Sequence, residues 1–137
     1  MNLELKHELP FTVTLEMADH RGHLNYIKAF LLFEVAQEET LKSRGTNWAD
    51  IDRRFGVVSV VRDVNDATFH SQVWPGECVT VRTKLTIEGV RLCFVQEIVR
   101  NGVVCISFQL MRVLTKALKP TRIPAKLMEQ LFGPTVP

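Results

Sequence analysis

The chain is poor in several things, and each shortage excludes something. It has three cysteines in 137 residues, Cys78, Cys93 and Cys105. Their number is odd, each sits in an apolar or strand-like stretch, and no Cys-x-x-Cys pair exists. A zinc ribbon is excluded, and buried free thiols are expected instead of a disulfide framework. Long apolar runs are also missing. The longest, Ala29–Phe33, falls far short of the ~18 residues that a membrane helix needs. Met1 to Lys6 lacks the basic and apolar regions of a secretory signal, so a cytoplasmic location is expected. Charge of either sign is scarce in excess: 17 Lys+Arg against 15 Asp+Glu leave +2. That excludes a strongly basic nucleic-acid footprint. Neither Ser59 nor Ser107 lies in a nucleophile-elbow glycine pattern, which argues against a Ser-His-Asp hydrolase.

What is present reads as one globular domain over residues 1–137. The apolar fraction of 46% and charged fraction of 23% are those of a chain that can build a core. The charge is uneven. Residues 112–137 carry Arg112, Lys116, Lys119, Arg122 and Lys126 against Glu129 alone. Such a basic segment is either a solvated tail or a seat for an anionic ligand.

Periodicity supplies the elements. Phe11, Val13 and Leu15 alternate with Thr12 and Thr14, which predicts a half-buried strand. A polar turn, Ala18 to His23, follows. From Asn25 to Arg44 the spacing is helical, with Asn25 as N-cap and Gly45 as stop. Apolar residues nearly encircle its first turns, so deep burial is expected. Trp48 to Phe55 reads as a charged connector with a helical turn. Val57–Val64 is β-branched and strand-like, running on with a bend through Thr68 and Phe69. Trp74-Pro75-Gly76-Glu77 marks a turn. Strands are predicted for Cys78–Glu88, Arg91–Arg100 and Val103–Leu114, the last two joined by an Asn101-Gly102 hairpin turn. Pro120 and Pro124 give an extended tail, with a short helix opening at Pro124. One long helix with about five antiparallel strands is an α+β domain.

The run Asp19-His20-Arg21-Gly22-His23-Leu24-Asn25, followed by Phe33-Glu34-Val35-Ala36, resembles the hotdog-fold acyl-CoA thioesterases of the 4-hydroxybenzoyl-CoA thioesterase type. Gly76-Glu77 is similar to the family's Gly-Asp turn, and Arg122-Ile123-Pro124 to its closing tail. The likeness spans roughly residues 9–130. Ala29 and Gln37 depart from it, standing where Tyr and Arg are frequent, and Met17 stands where an acid often precedes the key Asp. The resemblance implies a five- or six-stranded antiparallel sheet wrapped around one long helix. It also implies hydrolysis of an acyl-CoA or acyl-carrier thioester, no metal or cofactor beyond the coenzyme A of the substrate, and a homodimer or homotetramer. Related readings are a hotdog hydratase, a carrier-bound polyketide thioesterase, and a non-catalytic acyl-CoA-binding or interaction module.

Thioester hydrolysis needs a nucleophile or base, a donor for the developing oxyanion, and a seat for the thiol arm. The resemblance assigns the carboxylate to Asp19; the bland alternative is an Asx-turn or helix cap. It assigns the carbonyl donor to the main-chain N–H of about Tyr26, at a helix N-terminus rich in unpaired N–H groups. Gly22 lets the backbone turn closely, while His23 and Asn25 order the loop. Phe30 and Phe33 are expected along the acyl chain. Arg91, Lys119 and Arg122 are expected near the phosphates of coenzyme A, although each is also an ordinary surface cation. Asp19, His20 and His23 form too local a trio for a metal site. Glu34 reads as structural, bonded to a loop or a partner subunit, with a catalytic part as the alternative. Arg62 is expected in an ion pair between subunits.

Overall fold

The computed structural model describes residues 3–133. Six strands and three helices follow in the order β1 (Glu4–Thr12), α1 (Tyr26–Lys42), α2 (Trp48–Phe55), β2 (Val58–Phe69), β3 (Cys78–Glu88), β4 (Arg91–Arg100), β5 (Val103–Lys116), β6 (Lys119–Pro120) and α3 (Ala125–Phe132). A 3-10 turn at Leu15–Met17 separates β1 from the approach to α1. The strands form one antiparallel sheet in the order β1-β3-β4-β5-β2, and β6 pairs with β5. The sheet curls around α1, which is the hotdog arrangement.

β3 and β4 begin and end where the alternation predicts. Val79, Val81, Thr83 and Leu85 turn inward from β3, and β3 pairs with β4 from Thr80↔Val99 to Glu88↔Arg91. Asn101 and Gly102 both have positive φ, 52° and 76°, as a two-residue type I′ turn requires. The first strand lies earlier than its alternation suggests. β1 pairs with β3 from Glu4↔Thr86 to Thr12↔Cys78, and Leu15 is not part of it. Val13 is buried, but Leu15 is 79% exposed on the 3-10 turn. Three alternating residues gave no account of where the sheet ended. The connector before β2 is a full two-turn helix, α2, capped by Asn47, whose side chain accepts from the Asp50 N–H. The expected bend in β2 is a pair of bulges, between Val61 and Asp63 and between Asn65 and Thr68.

α1 runs where it is expected. Its Asn25 N-cap accepts from the Ile27 N–H at 2.8 Å, and Gly45 (φ 79°) carries the chain out of the last turn. The inward face is Ala29, Leu32, Phe33, Ala36, Gln37, Thr40 and Leu41. The alanines let the helix axis approach the sheet. Phe33 stacks on Phe108 of β5 with ring centroids 4.8 Å apart and planes 5° apart. Each large side chain buried here contributes on the order of 1.5–3 kcal/mol. Deep burial all round does not hold for the chain by itself. Ile27, Leu31 and Val35 are 53%, 52% and 50% exposed. They recur every fourth residue, so the opposite face of α1 is an uncovered apolar stripe. The thiols also divide: Cys105 is buried, Cys93 is half-buried and Cys78 is exposed, all three free.

Candidate active site

The segment entering α1 is a tight polar turn. The Asp19 N–H donates to the His23 carbonyl at 2.7 Å and the Gly22 N–H to the Asp19 carbonyl at 3.0 Å. Gly22 sits at φ 89°, where a side chain is strained. Asp19 Oδ1 accepts from the N–H groups of Arg21 at 2.8 Å and His23 at 3.2 Å. The Asx-turn is therefore real. It occupies one carboxylate oxygen and leaves Oδ2 with no partner among the described residues. Partial desolvation raises the Asp19 pKa, but those two N–H groups and the nearby His23 and His20 outweigh it, and the carboxyl sits below its ordinary range.

Asp19 lines a cleft of about 780 Å³ together with His23, Leu24, Tyr26, Phe69, His70, Ser71, Gln72, Val73, Trp74, Arg100 and Ile106. Tyr26 is the first residue of α1. Its N–H belongs to the helix's first turn, where no intrahelical acceptor exists. A carboxylate and a helix N-terminus thus share one cavity. Phe30 lies behind it, with ring centroids 6.3 Å from Tyr26, 6.4 Å from Phe69 and 5.3 Å from Phe108.

Other expected residues are not gathered here. Phe33 is fully buried in the core, and Ala29, also fully buried, does not line the cleft. Arg91 begins β4 and the cleft residue Arg100 ends it. At about 3.3 Å per residue they stand roughly 30 Å apart. Lys119 is on β6, which pairs with the end of β5 nearest Arg91, so the exposed Lys119 and Arg122 share that far end. Arg112 does not belong with them. It is buried, and it donates to Gln37 Oε1 at 2.9 Å, Ser59 Oγ at 3.2 Å and Glu34 Oε1 at 2.6 Å, with its guanidinium over the Trp48 ring. Glu34 is thus partnered within its own chain. Gln37 continues inward to Gln96 at 2.9 Å. Gln96 in turn donates to the Phe33 carbonyl at 2.9 Å and Thr83 Oγ1 at 3.0 Å.

Sequence reasoning missed one whole wall of the cleft, the connector from His70 to Trp74, and Arg100 beneath it. His70 Nε2 is 3.0 Å from Ser107 Oγ. A histidine between a strand end and a Trp-Pro turn was the available signal. The thiols offer no rival nucleophile in the cleft. Cys93 is outside it, and burial together with a hydrogen bond to Glu88 raises its pKa, which disfavours the thiolate. Among the described residues no group of three or more His, Cys, Asp or Glu is arranged to hold a metal ion. No helix among them is long and apolar enough to cross a membrane.

Solved structures with this fold are numerous. The 4-hydroxybenzoyl CoA thioesterase from Pseudomonas sp. strain CBS-3 superposes with a TM-score of 0.82 at 14% identity, over 92% of this chain and 99% of that one. The 1,4-dihydroxy-2-naphthoyl-CoA thioesterase from Synechocystis gives 0.81 at 16%, over 93% and 95%. A predicted thioesterase from Bacillus stearothermophilus gives 0.73 at 25%, over 95% and 99%. No protein-family model matches the chain, and no curated protein does. The chain has the hotdog fold over nearly its whole length.

Proposed function

We propose that this protein is a thioester hydrolase, releasing a free acid and a thiol from an acyl-CoA or acyl-carrier thioester. One observation carries the reading: Asp19, with one carboxylate oxygen unengaged, and Tyr26, whose N–H opens α1, line the same cleft. The carboxylate attacks the carbonyl carbon, or takes a proton from the water that does. The Tyr26 N–H, assisted by the helix dipole, holds the carbonyl oxygen as negative charge develops on it. The C–S bond then breaks and the thiolate leaves, taking up a proton; on the nucleophilic route water then cleaves the acyl–Asp19 anhydride, releasing the free acid and restoring the carboxylate. Gly22 allows the tight turn, the His23 N–H holds Asp19, and Asn25 caps the helix that carries the donor. The solved structures of like fold whose names include acyl-CoA thioesterases support the choice of chemistry. Phe30 and Phe69 supply an apolar wall for the acyl group.

The site works in a pair of chains on this reading. β2 is an edge strand, and its unpaired backbone groups favour pairing with a second copy. An antiparallel two-fold pairing sets the Val58 end of one β2 beside the Phe69 end of the other. The first end carries Lys119, Arg122 and Arg91; the second carries the Asp19 cleft. Basic residues about 30 Å from the cleft in one chain then stand beside the cleft of the other. There they meet the phosphates of the coenzyme arm. The same pairing covers the Ile27, Leu31 and Val35 stripe.

The test is thiol release from short, long and aromatic acyl-CoAs and from acyl-carrier substrates. Release from at least one class supports the reading. Binding of coenzyme A esters without release from any leaves a binding module in its place.

A further inference from the structure

Trp74 forms the cleft wall facing Asp19, yet it is 43% exposed, so burial alone does not fix its ring. We propose that Arg100 and Glu77 form a positioning clamp that holds Trp74 against the Asp19 turn; its consequence for turnover rests on the hydrolase reading above. Arg100, the last residue of β4, reaches across the connector to β3. Its Nη1 donates to the Gln72 carbonyl at 2.9 Å and to Glu77 Oε1 and Oε2 at 2.8 and 3.1 Å, and its Nη2 to Ser71 Oγ at 3.2 Å. Glu77 Oε1 also accepts from the Trp74 N–H at 2.7 Å. One carboxylate oxygen therefore joins the arginine to the tryptophan backbone.

From Trp74 the contacts continue to the reacting group. The His23 ring meets the Trp74 indole edge-on, centroids 4.4 Å apart at 83°. A Cβ on Gly22 would lie 3.6 Å from the indole, so the ring also backs the turn glycine. The Leu24 N–H donates to the Val73 carbonyl at 2.7 Å. His23 in turn gives its N–H to Asp19 Oδ1 at 3.2 Å. The turn has one buried side chain, Leu24; besides the Asn25 N–H bond to the Met17 carbonyl and the Ala18–Leu24 bridge, this connector holds it in place. The connector's tie to the sheet is a charge-assisted contact in which Nη1 meets both Glu77 oxygens and the Gln72 carbonyl while Nη2 holds Ser71 Oγ. An acid is needed at position 77 for this reason. Arg100 spends most of its donor capacity on the connector, and acts through Trp74 and His23 instead of on the substrate.

Arg100→Met and Glu77→Gln test the clamp, with Glu77→Gln as the milder change should the first variant not fold. The first readout does not depend on activity. In the wild type the Trp74 ring current displaces the His23 imidazole proton resonances, assigned by comparison with His23→Gln. In both variants those resonances move most of the way to their positions in Trp74→Leu. The second readout is the split of thiol-release kinetics. kcat falls roughly 10- to 100-fold, the scale of a misplacement of about 1 Å, while KM changes less than about twofold. Unchanged His23 resonances in the variants overturn the clamp. A raised KM with unchanged kcat overturns it in favour of direct substrate contact. If the wild type releases no thiol, the hydrolase reading fails and the resonances still decide the clamp.

Discussion

Replacing Gln96 by Met removes the centre of a buried polar chain at nearly constant volume. Gln96 is fully buried. It accepts from Gln37 Nε2 at 2.9 Å and donates to the Phe33 carbonyl at 2.9 Å and Thr83 Oγ1 at 3.0 Å. The loss falls hardest on Gln37, itself fully buried, whose amide is left without its acceptor. An orphaned buried group costs about 1–3 kcal/mol and each other lost bond about 0.5–1.5 kcal/mol. The helical carbonyl of Phe33 and the rotatable Thr83 hydroxyl recover part of theirs. The expected net loss is about 3 kcal/mol. In urea that moves the midpoint down by about 1–3 M at unchanged slope, and it lowers Tm by roughly 10 °C. Both are measured at equal protein concentration, because association with a second copy shifts apparent stability. Gln109→Met, exposed on β5, serves as control and stays within about 0.5 kcal/mol. A Gln96→Met variant as stable as wild type would refute the reasoning that this chain of hydrogen bonds is obligatory. Gln37→Met should cost more, since it also strands Arg112 Nε, a buried cation.

The remaining predictions concern the site and its assembly. The depressed pKa of Asp19 keeps its carboxylate ionised until pH falls below roughly 3.9, the ordinary aspartate value. Thiol release therefore shows no acid limb from Asp19 between pH 8 and 5; a limb within that range would take the role of base away from Asp19. By linkage, the same shift adds stability above the unfolded pKa and loses it as pH falls through the lower folded value. Leu31→Glu puts a charge into the exposed stripe of α1 and turns an oligomer into a monomer by sedimentation; an unchanged sedimentation coefficient would remove the stripe from the interface. Charge reversal at Lys119, Arg122 and Lys126 raises the apparent KM for an acyl-CoA about 10-fold or more and leaves kcat in place; an unchanged KM would return these residues to ordinary surface cations.

Local chemistry was legible in the sequence, and long-range partnership was not. Asn25 announces the start of α1 because a cap acts on its own neighbours, here the Ile27 N–H. Asn101-Gly102 announces its hairpin because the two residues tolerate positive φ. Asp19 carried both of its readings forward, since its Asx-turn and its free oxygen coexist. Arg112 looked like part of a basic tail because sequence shows charge without its partner; Glu34 and Gln37 lie 78 and 75 residues away. Arg100 and Glu77 are 23 residues apart, and only the β3–β4 register brings them together. The stripe on α1 read as core because apolar spacing does not say whether the cover is the same chain or another.

The central claim is that Asp19 performs the chemistry, and Asp19→Asn tests it most directly. The substitution keeps the Oδ1 acceptor and so the turn. Thiol release from the preferred acyl-CoA is measured for both proteins after matching circular dichroism and sedimentation. The account predicts an intact fold and a fall in turnover of about 100-fold or more. Turnover near that of the wild type would contradict it.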